Sequence, residues 1–212
     1  MILKNLPNYF FVLLIFSFHA CSTKKSKSDI TIEFVQDTLN VGYTYWWEES
    51  GPFIGQCGDE LSLVFSATIT DLQQSSNEAG PLYNSQKGTV EINEVYKIKD
   101  LGDNNYANQK FITTDCFEGL DLSMGDKVLV SCYDFEDNYT IPGGKSILKI
   151  TDLNDPLIAS IRRYIDSDQN ALQLKKEVSL WAKEGLGLKL EEIIKCAEEM
   201  NSKIPSNSIH NQ

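Results

Sequence analysis

The chain has 212 residues, with 30 acidic against 19 basic side chains and a formal net charge of -11. A body this acidic argues against nucleic acid as a partner, because phosphates demand a basic face. Only two histidines occur, His19 and His210, near the two ends, which removes Ser-His-Asp and Cys-His catalysis and hydrolytic zinc sites from the folded body.

At the N-terminus Lys4 precedes an apolar run from Tyr9 to Phe18, followed by His19-Ala20-Cys21. That is the order of a secretion signal. The run falls short of the roughly twenty apolar residues of a membrane-spanning helix before Lys24, Lys25 and Lys27 arrive. Ordinary signal peptidase favours small residues at the first and third positions before its cut, and Phe18 stands at the third. The stretch Phe18-His-Ala-Cys21 resembles a lipobox, with Phe18 where Leu is usual. The resemblance implies a bacterial lipoprotein in which Cys21 carries diacylglycerol and becomes the new N-terminus. Residues 1–20 are then a discarded signal peptide, and the net charge becomes -12 because Lys4 leaves with them. Residues 21–29 read as the lipidated cysteine and a flexible tether, since Ser22 to Ser28 has nothing to bury. The implied location is the cell envelope, lipid-anchored, with the outer membrane favoured; Ser22 after the cysteine is compatible with outer-membrane sorting.

In chain order, Ile30 to Asp37 reads as a short strand or a lead-in, and Tyr43 to Phe53 as an aromatic cluster turning at Gly51-Pro52. Leu61 to Ile69 alternates cleanly, with Leu61, Leu63, Phe65, Ala67 and Ile69 on one face. Further strands are predicted over Gly88 to Ile98, Lys110 to Thr114, Lys127 to Phe135 and Ser146 to Ile150, with loops at Asp71 to Gln86 and Asp100 to Asn108. Turns are marked by Gly125-Asp126 and Pro142-Gly143-Gly144. The period then changes from two to 3.6. Asp155-Pro156 starts a helix with an apolar stripe from Leu157 to Ile165. A second helix is predicted from Asp168 to Glu184 and a third over Leu190 to Met200, with Pro205 ending ordered structure.

Several constellations bear on chemistry. With Cys21 lipidated, Cys57, Cys116, Cys132 and Cys196 remain. An even set in an exported protein suggests two disulfides with three possible pairings, or one bridge and a pair of buried thiols. Tyr43, Tyr45, Trp46, Trp47 and Phe53 form the candidate recognition surface, because aromatic faces bind sugars and anchor protein interfaces. The acidic stretches Asp100 to Asn105 and Tyr133 to Asn138 are solvated turns that also carry the oxygen ligands a divalent cation needs. Asp166, Asp168, Asn170 and Glu177 have EF-hand spacing, but Ala171 stands where that loop needs Gly, so they read as acids at a helix start. Gly143-Gly144-Lys145-Ser146 lacks the first glycine of a phosphate loop and precedes a strand.

Five strands followed by a helix is the element count of a small Greek-key barrel of the oligonucleotide/oligosaccharide-binding (OB) type. Cys57-Gly58 ahead of the first strong strand, and Cys116 with a short apolar loop before Gly125 and a buried strand, resemble the netrin-like domain shared with tissue inhibitors of metalloproteinases. The resemblance implies an OB-like barrel with closing helix over residues 30–165, and a Cys57–Cys116 bridge. Cys132 and Cys196 have no counterpart in that family and are left as a possible second bridge. A helical extension follows at 166–204 and a disordered tail at 205–212. The family's inhibitory mechanism needs a free N-terminal cysteine and does not transfer to an internal Cys57. The expectation is a mainly β protein with α, a membrane-anchored, non-catalytic binding or scaffolding module for a protein or glycan partner, with no catalytic residues, metal or cofactor. The alternative is a carboxylate-based, cation-dependent binder or hydrolase.

Overall fold

The computed structural model describes residues 26–43, 49–77 and 83–203. The expected signal peptide, Cys21 and the expected disordered tail 205–212 lie outside them. The protein is mixed α/β, one eight-stranded sheet followed by three helices. The strands are β1 (Val35–Asn40), β2 (Gly42–Tyr43), β3 (Leu61–Leu72), β4 (Gly88–Ile98), β5 (Gln109–Thr114), β6 (Lys127–Phe135), β7 (Asn138–Ile141) and β8 (Ile147–Ile150). They run in the order β1-β5-β4-β3-β6-β7-β2, with β8 paired to β6 off that path. The two ends of the path, β1 and β2, are consecutive in the chain and separated only by Val41, whose N–H donates to Thr113 O at 2.9 Å. β1 pairs with β5 and β2 with β7 in parallel, and the remaining pairs are antiparallel.

β3 is central because its alternation lets it bury both faces. Leu63, Phe65, Ala67 and Ile69 meet Val90, Ile92, Ile112, Val128 and Val130 in one core. Leu61 and Val64 belong to the other core, which the helices cover. A register irregularity between Leu61 and Leu63 turns Leu61 away from the residues with which alternation groups it. β7, absent from the sequence expectation, follows β6 through Glu136-Asp137, both at positive φ (52° and 56°). Tight hairpins need such turns, which Asn-Gly adopts without the strain a β-carbon brings. Replacing Glu136-Asp137 by Asn-Gly is expected to raise stability by about 1 kcal/mol. The check is the urea midpoint at unchanged m-value; a lower midpoint would contradict it.

Asp155 caps helix α1 (Pro156–Asp166), accepting from Leu157 N at 3.0 Å, with Pro156 in its first turn as the sequence indicated. Leu157, Ile158, Ile161, Tyr164 and Ile165 are all buried. The predicted helix from Asp168 to Glu184 is instead a 3-10 helix over Ala171–Glu177, then α2 (Val178–Lys183). Spacing by three explains the difference: at 3.0 residues per turn Ala171, Leu174 and Glu177 share one side. Ala171 and Leu174 enter the core there, and Glu177 reaches Ser160 and Arg163 on α1. Gly185, at φ +71°, ends α2, and α3 (Gly187–Ser202) packs Leu190, Ile193 and Ile194 inward. Among the described residues no helix is long and apolar enough to cross a membrane.

Two expectations are corrected. The single disulfide among the described residues joins Cys57, in the loop before β3, to Cys196 on α3, with Cα atoms 5.3 Å apart. Neither Cys57–Cys116 nor Cys132–Cys196 forms, and Cys116 and Cys132 are buried free thiols in the core that holds Leu63 and Phe65. The physical reason is placement: α3 brings Cys196 to the loop, while Cys116 sits inside beside Phe117. The second correction concerns residues 26–29, read as part of a free tether. Ser26 Oγ donates to Asp166 Oδ2 at 2.6 Å, and Ser28 N donates to Asp166 Oδ1 at 2.8 Å. Arg162 binds Ser28 and Asp29, and Lys27 pairs with Asp168. Burial works against the Asp166 carboxylate, but these serine hydrogen bonds hold its pKa below the ordinary value. A polar segment without apolar residues therefore docks through hydrogen bonds at the end of α1.

Candidate functional site

The β6–β7 hairpin, the loop between β4 and β5, and the β1–β2 junction meet around a crevice of two parts that adjoin at Asp103 and Asn104. One half, about 480 Å³, is lined by Asp100, Asp103, Asp134 and Asp137 with Leu101, Gly102 and Asn104. The other, about 500 Å³, shares Asp103 and Asn104 and adds the carboxamides of Asn40, Asn105, Gln109 and Asn138. The two acidic stretches that stand apart in the sequence, Asp100 to Asn105 and Tyr133 to Asn138, are thus neighbours across the first half.

Tyr139 on β7 is the post to which the loop is tied. Its hydroxyl accepts from Tyr106 N at 3.0 Å, and its single proton serves Asn105 Oδ1 at 2.7 Å and Lys99 O at 2.8 Å. The ring is 4% exposed, and that burial raises the hydroxyl's pKa. Tyr106, also raised by burial, donates its own hydroxyl to Gln109 O at 2.5 Å. Loop residues from 99 to 109 are therefore fixed from inside, by buried hydroxyls rather than by apolar packing alone.

The acidic half is partly neutralised by the protein itself. Lys99 bridges Asp134 and Glu60, each at 3.3 Å, and the Asp134 hydrogen bond is the main cause of its raised pKa. Asp100 Oδ1 accepts from Gly102 N at 2.8 Å. Among the described residues no three Cys, His, Asp or Glu side chains stand together as metal ligands. The EF-hand-spaced acids are dispersed: Asp166 holds the N-terminal segment, Asp168 pairs with Lys27, and Glu177 faces Ser160 and Arg163.

The candidate aromatic surface divides. Tyr43 lies on β2, its backbone in register with Ile141 of β7, while Tyr45, Trp46 and Trp47 lie outside the described residues. Phe53 is corrected from surface to core: it is fully buried, with its ring centroid 5.6 Å from Tyr164 and 4.7 Å from Trp181, edge-on to both. An aromatic ring in a loop after Gly51-Pro52 has no pattern that tells packing from display, and here the helical layer claims it. Glu49, just before that turn, accepts from Gly55 N and pairs with Lys189 on α3. Burial drives the Cys116 thiol up to about 12 and raises Cys132 as well, so both stay protonated and inert as nucleophiles.

Sequence reasoning missed Asn40 and Gln109 altogether and saw Asn104, Asn105 and Asn138 only as members of acidic turns. These residues come from separate segments with no fixed spacing, so only the fold assembles them. Searches against protein families and against curated proteins found no match to the chain.

Proposed function

We propose that the chain is a membrane-tethered lipoprotein of the bacterial envelope whose body is a non-catalytic binding or scaffolding module. The observation that carries this reading is the apolar run ending in Phe18-His-Ala-Cys21, and the docking of Ser26 to Asp29 onto Arg162, Asp166 and Asp168 says where such an anchor would hold the body. Only four residues, 22 to 25, separate that dock from Cys21. At the extended-chain limit they span about 17 Å from Cys21 to Ser26. A diacylglyceryl group on Cys21 would then hold the α1 end of the body close to the bilayer, so a lipid sets orientation as well as location. Each buried acyl methylene contributes about 0.8 kcal/mol to membrane attachment, and several chains make release negligible.

The non-catalytic part of the proposal is supported by the positions of the two histidines and by two thiols kept protonated by burial. An OB-like barrel is the finer fold we propose for the sheet. It is supported by β1 and β2, which terminate the strand order and yet form one stretch of chain around Val41. A cation-dependent binder is a second reading, prompted by the four aspartates that line one crevice, although no three of them are grouped as metal ligands among the described residues. Equal melting temperatures in calcium and in chelator would remove it.

Mass spectrometry of the native mature protein tests the anchor. The expected N-terminus is Cys21 with diacylglyceryl mass, and Cys21→Ser is expected to shift the protein from the membrane to the soluble fraction. A different N-terminus, or the absence of acyl mass, overturns the reading.

A further inference from the structure

The amide-lined half of the crevice carries an inference about ligand class that deepens the binding-module reading, and rests on it, without depending on the lipid anchor. Four of its carboxamides are pinned by one end. Asn104 Nδ2 donates to Asp137 O at 2.9 Å, and Asn138 Nδ2 donates to Glu136 O at 2.7 Å. Gln109 Oε1 accepts from Ala107 N at 3.0 Å, and Asn105 Oδ1 accepts the Tyr139 hydroxyl at 2.7 Å. A backbone carbonyl requires an amide nitrogen and a backbone N–H requires an oxygen, so three of these orientations are dictated by their partners.

The opposite ends have no protein partner among the described residues. Asn104 and Asn138 therefore offer acceptors, Asn105 and Gln109 offer donors, and Asn40, whose side chain is unpaired, offers both. Because one end of each of the four pinned amides is already bound, presenting the other end costs little side-chain entropy. The volume of about 500 Å³ lies within the roughly 300–1,000 Å³ of small-molecule clefts.

A field of interleaved donors and acceptors with a single formal charge, Asp103, selects against most ligands. An apolar molecule would leave the amides without partners. An anion would face Asp103 and, in the adjoining half, Asp100, Asp134 and Asp137. A hydroxyl group donates and accepts at once, so a molecule bearing several of them can satisfy both kinds of amide end together. We infer that this crevice binds a neutral, hydroxyl-rich saccharide, with Asn40, Asn104, Asn105, Gln109 and Asn138 as its hydrogen-bonding contacts and Tyr139 as the positioning residue beneath them.

The test is titration of the purified full-length protein with a panel of uncharged hexose and N-acetylhexosamine oligomers, beside uronic-acid oligomers of the same lengths. At least one neutral oligomer is expected to bind with Kd tighter than about 1 mM, the uronic-acid counterparts at least tenfold more weakly. Asn40→Ala removes no internal hydrogen bond, so its melting temperature should match the parent while affinity falls about tenfold; Asn105→Ala provides the second variant. No binding by any neutral oligomer, tighter binding of the acidic ones, or undiminished affinity in both variants overturns the inference. Failure here leaves the anchor test untouched, and a soluble Cys21→Ser chain that still binds the oligomer separates the two proposals from the other side.

Discussion

Replacing Cys57 and Cys196 together by serine is expected to lower the unfolding free energy by about 4 kcal/mol. The bridge joins residues 139 apart in sequence. In the chain-entropy description, a covalent loop of about that length restrains the unfolded chain by close to 5 kcal/mol, and measured native bridges fall at about 2–5 kcal/mol. The native contacts favour the upper part of that range. Cys196 sits on α3, whose Leu190, Ile193 and Ile194 close the helical side of the core, and the partner loop also carries Phe53 and Ile54 into that core. Lys189 adds an ion pair to Glu49 from the same helix. Denaturant titration of the double variant, and of the parent under reductant, should give similar losses, because Cys116 and Cys132 stay buried and supply no substitute bridge. A loss below about 1 kcal/mol in both would show that α3 holds its place without the link.

Phe53→Ala is expected to cost about 3–5 kcal/mol, the range for emptying a large aromatic site in a closed core. The ring is fully buried and meets both Tyr164 and Trp181 edge-on. Trp181 is itself fixed by its Nε1–H, which donates to Ser160 Oγ at 2.8 Å, so the surroundings have little freedom to collapse into the gap. The same variant separates two roles for the residue. As a core ring its loss lowers the denaturation midpoint and alters Trp181 fluorescence; as a display ring it would leave stability within about 0.5 kcal/mol and weaken only a partner's binding. Phe53→Leu should recover more than half of the lost stability.

What the sequence made legible follows from how strongly each element is written in it. β4 and β6 run over the residues that alternation indicated, and α1 begins where Asp155-Pro156 placed it. Alternation failed at Leu61, since a local irregularity in strand pairing leaves no trace in residue type. β7 was hidden because its turn is Glu136-Asp137 rather than the glycine-containing pair that announces a hairpin. The 3-10 stretch reads as α-helix because Ala171 and Leu174, three apart, suit either period. Four cysteines left three pairings, and the family resemblance pointed to one that the fold does not use. At the crevice the loops around Asp100 and Asp134 were legible as acidic. Their meeting was not, since it depends on a buried Tyr139 hydroxyl that no local pattern marks.

The Cys57–Cys196 bridge also encloses β3 through most of α3 in a single covalent ring, leaving β1, β2 and the docked N-terminal segment outside it. A protease that cuts within that ring, such as between β3 and β4, yields two pieces that remain attached to one another. The docked segment lies on the other side of the bridge, so it can peel away while the ring stays closed. Cleavage before Cys57 is therefore the damage that parts the body from its N-terminal segment, and a nick inside the ring is damage the molecule carries without shedding either half.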